Sequence, residues 1–283
     1  MRVGMNLLLW TTEVGEEHHG LLQQIKNWGF DGVEIPIFKA DPHRYRDLAR
    51  RLDDLGLERT AVTVVPPDAN PISPDPQVRD RAEEYLKQVL EMCAILESRV
   101  LCGPLHSPVG TLVGRGRTEE EWQWCLELLG RVAVSAETAG VTLALECLNR
   151  FEAYFLNCIA DTTAFVDQAG HSSLQLLYDS FHAHIEEKKP AEAIRQASHR
   201  LAHVHISEND RSTPGEGQVD WHTTFSILHE IGYDDWLVIE AFGQLLPELA
   251  AATCIWRKTF PSEEYLARNG LEFIQLQWRA RSD

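Results

Sequence analysis

Four polar residues close four apolar runs in the second half of this sequence. Glu146 follows the run 141–145, Asp179 follows 174–178, His205 ends the segment 202–205, and Glu240 follows 236–239. A charge at the end of a run that must be buried is costly unless it is paired or bound to a cation. Two glutamates, one aspartate and one histidine make a mostly oxygen donor set. Such a set suits Mn²⁺ or Mg²⁺, with Co²⁺ admissible, whereas zinc favours more nitrogen or sulfur. One such acid alone would read as a solvated rim residue. Four on consecutive strands point to one shared metal site.

The elements that must bring these residues together recur at a regular interval. Apolar strand-like runs are expected at Val3–Trp10, Gly32–Phe38, Leu57–Val65, Arg99–Leu105, Val141–Leu148, Leu174–Phe181, Leu201–Ser207 and Trp236–Phe242. A helical pattern follows each. Asp75 before Pro76 is a start signal for one helix, and Thr118-x-x-Glu121 is a capping box for the next. Eight strand–helix units of ~35 residues each predict an α/β fold, a (β/α)8 TIM barrel forming a single domain over 1–283. No GxGxxG follows the first strand, which disfavours an open dinucleotide-binding sheet. In a parallel barrel, chemistry sits at the carboxyl ends of the strands. All four residues lie there.

The 283 residues are 44 % apolar and 24 % charged, an ordinary globular composition with enough chain for a large core. Lysine and arginine number 26 against 43 acids, a net charge of −17. That balance argues against a nucleic-acid partner and against binding to an anionic membrane. None of the six cysteines forms a CxxC pair, so they read as small buried hydrophobes. No apolar run approaches the ~18 residues of a membrane span, and the N-terminal stretch reads as a strand. The expected location is cytoplasmic.

Several segments together resemble a known family. They are LALEC around Glu146, LYDSFH ending at His182, HVHISENDR from His203 to Arg211, TPGEG at 213–217 and VIEAF at 238–242. With the opening VGMN and the FDGVEIP segment at 30–36, they look like the xylose-isomerase-like sugar isomerase/epimerase superfamily. Within it they resemble most the D-tagatose 3-epimerase/D-psicose (allulose) 3-epimerase group. The resemblance implies that Glu146, Asp179, His205 and Glu240 bind the metal, Mn²⁺ foremost. It implies that Glu152, His182 and Arg211 contact substrate oxygens near the carbonyl end. It further implies a free ketose of the D-tagatose, D-fructose/D-psicose or L-ribulose type as the small-molecule partner, and a homodimer or homotetramer.

Removing the hydrogen at carbon 3 of a ketose generates an enediolate, which a divalent Lewis acid stabilises. Inversion then needs a proton from the opposite face. Glu146 and Glu240 lie on the fifth and eighth strands, three steps apart in a ring of eight. They are therefore the expected catalytic pair. An aldose–ketose isomerase, or a hydroxypyruvate-isomerase-like enzyme, would use the same barrel and metal site and is the alternative.

Other residues leave two readings open. His106 follows the fourth strand and either faces the pocket from the strand end or is a rim histidine. His203 reads as a core histidine below His205 or a support for it. Glu34 either reaches the pocket or forms a structural ion pair. Phe242 and Trp10 are either walls of a sugar pocket or core. The proline-rich stretch 66–74 is either a lid or a stiff connection.

Overall fold

Strands end at Asn6, Pro36 and Asp179, where a side chain or a proline takes over, and the helices Pro42–Leu55, Pro76–Leu96 and Glu119–Ala139 each end at a left-handed residue. The computed structural model describes residues 1–281; the last two positions of the expected 1–283 unit lie outside them. The strands are β1 (Arg2–Asn6), β2 (Gly32–Pro36), β3 (Glu58–Val62), β4 (Val100–Gly103), β5 (Thr142–Glu146), β6 (Leu174–Asp179), β7 (Leu201–Ile206) and β8 (Trp236–Ile239). All pair in parallel, and β8 closes on β1 to complete the barrel. The eight-stranded TIM barrel expected from the repeat is the observed fold.

The strands are shorter than their apolar runs suggest. β1 stops at Asn6 because the Asn6 side chain accepts the Leu8 N–H and turns 7–9 into a single 3₁₀ turn. β8 stops at Ile239, where the Glu240 N–H still reaches Ile206 O but the chain then leaves the sheet. Both signalled helix starts are present. Asp75 caps Pro76–Leu96, and Thr118 and Glu121 form the reciprocal capping box of Glu119–Ala139. That helix ends at Gly140 with φ 68°, a conformation glycine adopts without penalty. Two short helices not expected from the pattern, Ser180–Glu186 and Pro247–Ala252, extend the loops after β6 and β8.

Apolar residues divide into two sets. The larger packs strands against helices. The smaller fills the barrel interior, with Val62, Val100, Cys102, Ala144 and Leu177 among its members. Gly103 at the end of β4 has φ 124°, and a Cβ there would stand 2.2 Å from Thr63 O. No other residue fits that close approach of two strands. The 66–74 stretch is anchored by buried Ala69 and Ile72, so it is a docked connection in this structure.

Candidate functional site

Strand register sets the site. Asp179 on β6 lies opposite His205 on β7, and alternate residues along each strand face inward. Glu146, Asp179, His205 and Glu240 are all buried, and one donor atom from each lies within 4.8 Å of the others. His205 Nδ1 stands 3.5 Å from Glu240 Oε1, 3.6 Å from Asp179 Oδ2 and 3.9 Å from Glu146 Oε1. The quartet picked out by the strand ends is brought together.

Two features of the quartet fit a divalent cation. Among the described residues, neither Glu146 Oε1 nor His205 Nδ1 has a hydrogen-bond partner, although both are buried. Buried polar atoms are nearly always satisfied, so such a pair facing one point asks for a ligand. Three carboxylates and one imidazole also match a hard or borderline ion.

Electrostatics follow from this crowding. Burial, then the neighbouring Glu240 charge, push the Glu146 carboxyl well above its usual range. Burial would raise Asp179 too, but the Arg211 guanidinium and His182 hold it low. Burial would lower the His205 imidazole, yet Glu240 and Glu34 outweigh it and raise it.

Arg211 enters from the loop after β7. Its Nη1 donates to Glu240 Oε2 at 2.6 Å, Ser207 Oγ at 2.9 Å and Asp179 Oδ2 at 3.3 Å. Its guanidinium stacks 3.9 Å from the Phe181 ring centroid and 5.1 Å from that of Phe242. Phe242 therefore walls the site, whereas Trp10 packs partly buried against the strand–helix core. His182, in the helix that Asp179 caps, has Nε2 3.5 Å from Glu146 Oε1 and 3.0 Å from Arg211 Nη2. The Asn149 backbone N–H donates to its Nδ1. Burial pulls the His182 pKa down to about 4, so the ring is neutral.

Glu152 is half-buried and accepts from Asn149 Nδ2 at 2.7 Å. Asn149 thus joins Glu152 to His182, a link that residue type alone does not signal. Three other residues sit where the sequence left two readings. Glu34 is fully buried and pairs with both His203 and His205. His203 lies below His205 and bonds Glu34, not the quartet. His106 is a correction: it is not at the rim but fully buried, its Nδ1 2.8 Å from Ser107 Oγ and its ring against Phe155. Burial lowers its pKa to about 3. The residue was misplaced because β4 ends three residues earlier and the chain folds back inward.

Known proteins carry the same barrel and length. A probable ketose 3-epimerase of Synechocystis sp. is 33 % identical over 276 residues, spanning 97 % of this chain and 96 % of that protein. An L-ribulose 3-epimerase of Mesorhizobium japonicum is 32 % identical over 278 residues, spanning 97 % and 93 %. Among solved structures, an L-ribulose 3-epimerase superposes with a TM-score of 0.94 at 32 % identity, covering 99 % of this chain and 95 % of that one. A D-psicose 3-epimerase from Clostridium cellulolyticum H10, solved with D-tagatose, gives 0.91 at 28 % identity, covering 98 % and 99 %. The match to the xylose isomerase-like TIM barrel family runs over residues 22–276, from the first helix to the last, and the chain belongs to that family.

Proposed function

We propose that the chain is a metal-dependent ketose 3-epimerase acting on free ketopentoses or ketohexoses. The observation that carries this reading is the convergence of Glu146 and Glu240, from strands three steps apart in the ring, on one buried quartet with Asp179 and His205. The names of the relatives, which include L-ribulose and D-psicose 3-epimerases, support the substrate class. A phosphorylated sugar is disfavoured, since Gly215-Glu216-Gly217 after β7 is a poor phosphate cradle whose glutamate would repel it.

Glu146, Asp179, His205 and Glu240 would hold a divalent cation, Mn²⁺ by the donor set, which supplies Lewis-acid polarisation of the substrate oxygens at carbons 2 and 3. One glutamate takes the carbon-3 proton and the other returns a proton from the opposite face. Arg211 and His182 donate to the oxygens that gain charge as the enediolate forms. Glu152, fixed by Asn149, accepts from a hydroxyl near the carbonyl end. Phe181 and Phe242 exclude water beside the guanidinium, which strengthens each of these contacts.

The setting is proposed to be cytoplasmic, which fits six free cysteines. No described helix is long and apolar enough to cross a membrane. The proposed assembly is a homodimer or homotetramer. Exposed Leu112 and Val113 after β4 and Phe151 after β5 support it, since their loops are joined by the Gly110 N–H to Glu152 O.

The test is proton exchange. Protein stripped with chelator and restored with Mn²⁺ is incubated in D₂O with D-fructose, D-tagatose, D-psicose and L-ribulose. Metal-dependent deuterium at carbon 3 with the epimer appearing is the expected result. Deuterium at carbon 1 with an aldose product would make the enzyme an isomerase, and no exchange in any sugar would contradict the proposal.

A further inference from the structure

A second cluster of metal-ligand residue types lies one layer below the quartet: Glu34, Cys102, His203 and His205, all fully buried. Its distances are those of hydrogen bonds. Glu34 Oε1 is 2.8 Å from His205 Nε2, and Glu34 Oε2 is 2.8 Å from His203 Nε2. Tetrahedral ligands held about 2.0–2.3 Å from a zinc ion stand farther apart, about 3.3–3.8 Å from one another. Glu34 is also fully served as an acceptor. Thr60 Oγ1 donates at 2.8 Å, Asn6 Nδ2 at 3.0 Å and Cys102 Sγ at 3.2 Å, which makes five donors on one carboxylate. This cluster is a support for an imidazole, not a second ion site.

We propose that Glu34 is the positioning residue of the cation site: it accepts the His205 Nε2–H and thereby leaves Nδ1 bare and aimed at the quartet. The inference rests on the metal reading above. An ionised carboxylate has no donor, so the ring nitrogen that faces it at 2.8 Å must carry the hydrogen. An imidazole bound to a cation is neutral and has one such hydrogen, so the other nitrogen offers its lone pair. That other nitrogen is Nδ1, which lies between 3.5 and 3.9 Å from Glu240, Asp179 and Glu146.

The barrel holds Glu34 from both sides. Strand register sets Asn6 opposite Glu34 on β1 and Thr60 opposite it on β3. His203 closes it from β7 and Cys102 from β4. Asn6 also reaches Glu240 Oε1 at 3.3 Å with the same amide nitrogen. One asparagine therefore relates the support of His205 to one of the paired glutamates. Outer carboxylates on metal-bound histidines commonly set ring orientation and affinity in this way.

The experiment has two arms. ¹⁵N-histidine NMR on wild-type protein loaded with diamagnetic Mg²⁺ is expected to show His205 as the Nε2–H tautomer. Electron paramagnetic resonance of free Mn²⁺ is expected to show Glu34→Gln binding Mn²⁺ about 10–100-fold more weakly than wild type, with Glu34→Asp in between. An Nδ1–H tautomer in the loaded wild type overturns the proposal, whether or not the variants fold. So does a folded Glu34→Gln protein that binds Mn²⁺ as tightly as wild type. Wild-type protein that binds neither cation overturns the metal reading, and this proposal with it.

Discussion

The Arg211 guanidinium meets the Glu240 carboxylate at 2.6 Å inside the buried cluster that also holds Asp179 and His205. Its other terminal nitrogen lies 3.0 Å from His182 Nε2. One side chain therefore spans the proposed proton-transfer acid and the proposed oxyanion donor. The Arg211 backbone sits at φ 59°, a left-handed conformation uncommon outside glycine. The Phe242 N–H bonds its carbonyl and its own N–H bonds Glu208 O.

Arg211→Lys keeps the charge but loses the planar fork that reaches Glu240, Ser207 and His182 together. The expected loss in kcat is on the order of 10²–10³, as for removal of an oxyanion donor. KM is expected to change much less. Steady-state kinetics at saturating Mn²⁺ check this.

Chelation is expected to lower the melting temperature. A cation at 100 times its Kd stabilises the native state by about 2.7 kcal/mol. Asp179→Asn should abolish most of the difference between Mn²⁺ and chelator in a thermal scan. Asp179 also caps the helix Ser180–Glu186 through Oδ1, so the variant loses stability in both conditions. The diagnostic quantity is therefore the difference between the two scans, not the melting temperature itself.

The loop that carries Arg211 is gathered around one buried acid. Glu208 accepts from the backbone N–H groups of Asn209, Gly215 and Val219 and from Trp221 Nε1, all within 3.0 Å. Glu208→Gln turns one acceptor oxygen into a donor facing N–H groups. Expected are faster hydrogen exchange across 209–219 and a fall in kcat of at least tenfold, with the barrel's circular dichroism retained. Unchanged exchange in that loop would contradict it.

Much of this site was legible because a buried apolar run that ends in a charge advertises the end of a barrel strand. Glu146, Asp179, His205 and Glu240 all follow that rule. Glu34 instead sits in the middle of β2, and its meaning depends on His205, 171 positions away. That pairing exists only once the ring closes through β1 and β8. Asn6 and Cys102 were illegible for the same reason, since asparagine and cysteine in an apolar run read as a turn and a small hydrophobe. His106 shows the converse. Its type and position suit a rim, and only the packing of Phe155 over it reveals burial.

Away from the site, Glu121 gives a pH signature. Burial would raise its carboxyl, but Arg115, the Thr118 N–H and the Tyr154 hydroxyl outweigh that and hold it below 4.5. A depressed acid contributes stability above its unfolded pKa and loses it as pH falls through the folded value. Arg115 is half exposed, so solvent screens the pair and its contribution is smaller than that of a buried pair. Glu121→Gln is therefore expected to trail wild type near pH 7 and to converge with it below pH 4.5. A gap in denaturant midpoint that is constant with pH would rule this out.

The most direct test of two-faced proton transfer uses Glu146→Gln and Glu240→Gln, each saturated with Mn²⁺, and both epimers of one ketose deuterated at carbon 3. Deuterium loss to water is followed separately for each epimer. If the two glutamates serve opposite faces, neither variant inverts the sugar. Each washes deuterium from one epimer only, and the two variants choose opposite epimers. Wash-out from both epimers by either variant, or inversion at near wild-type rate, would contradict the assignment.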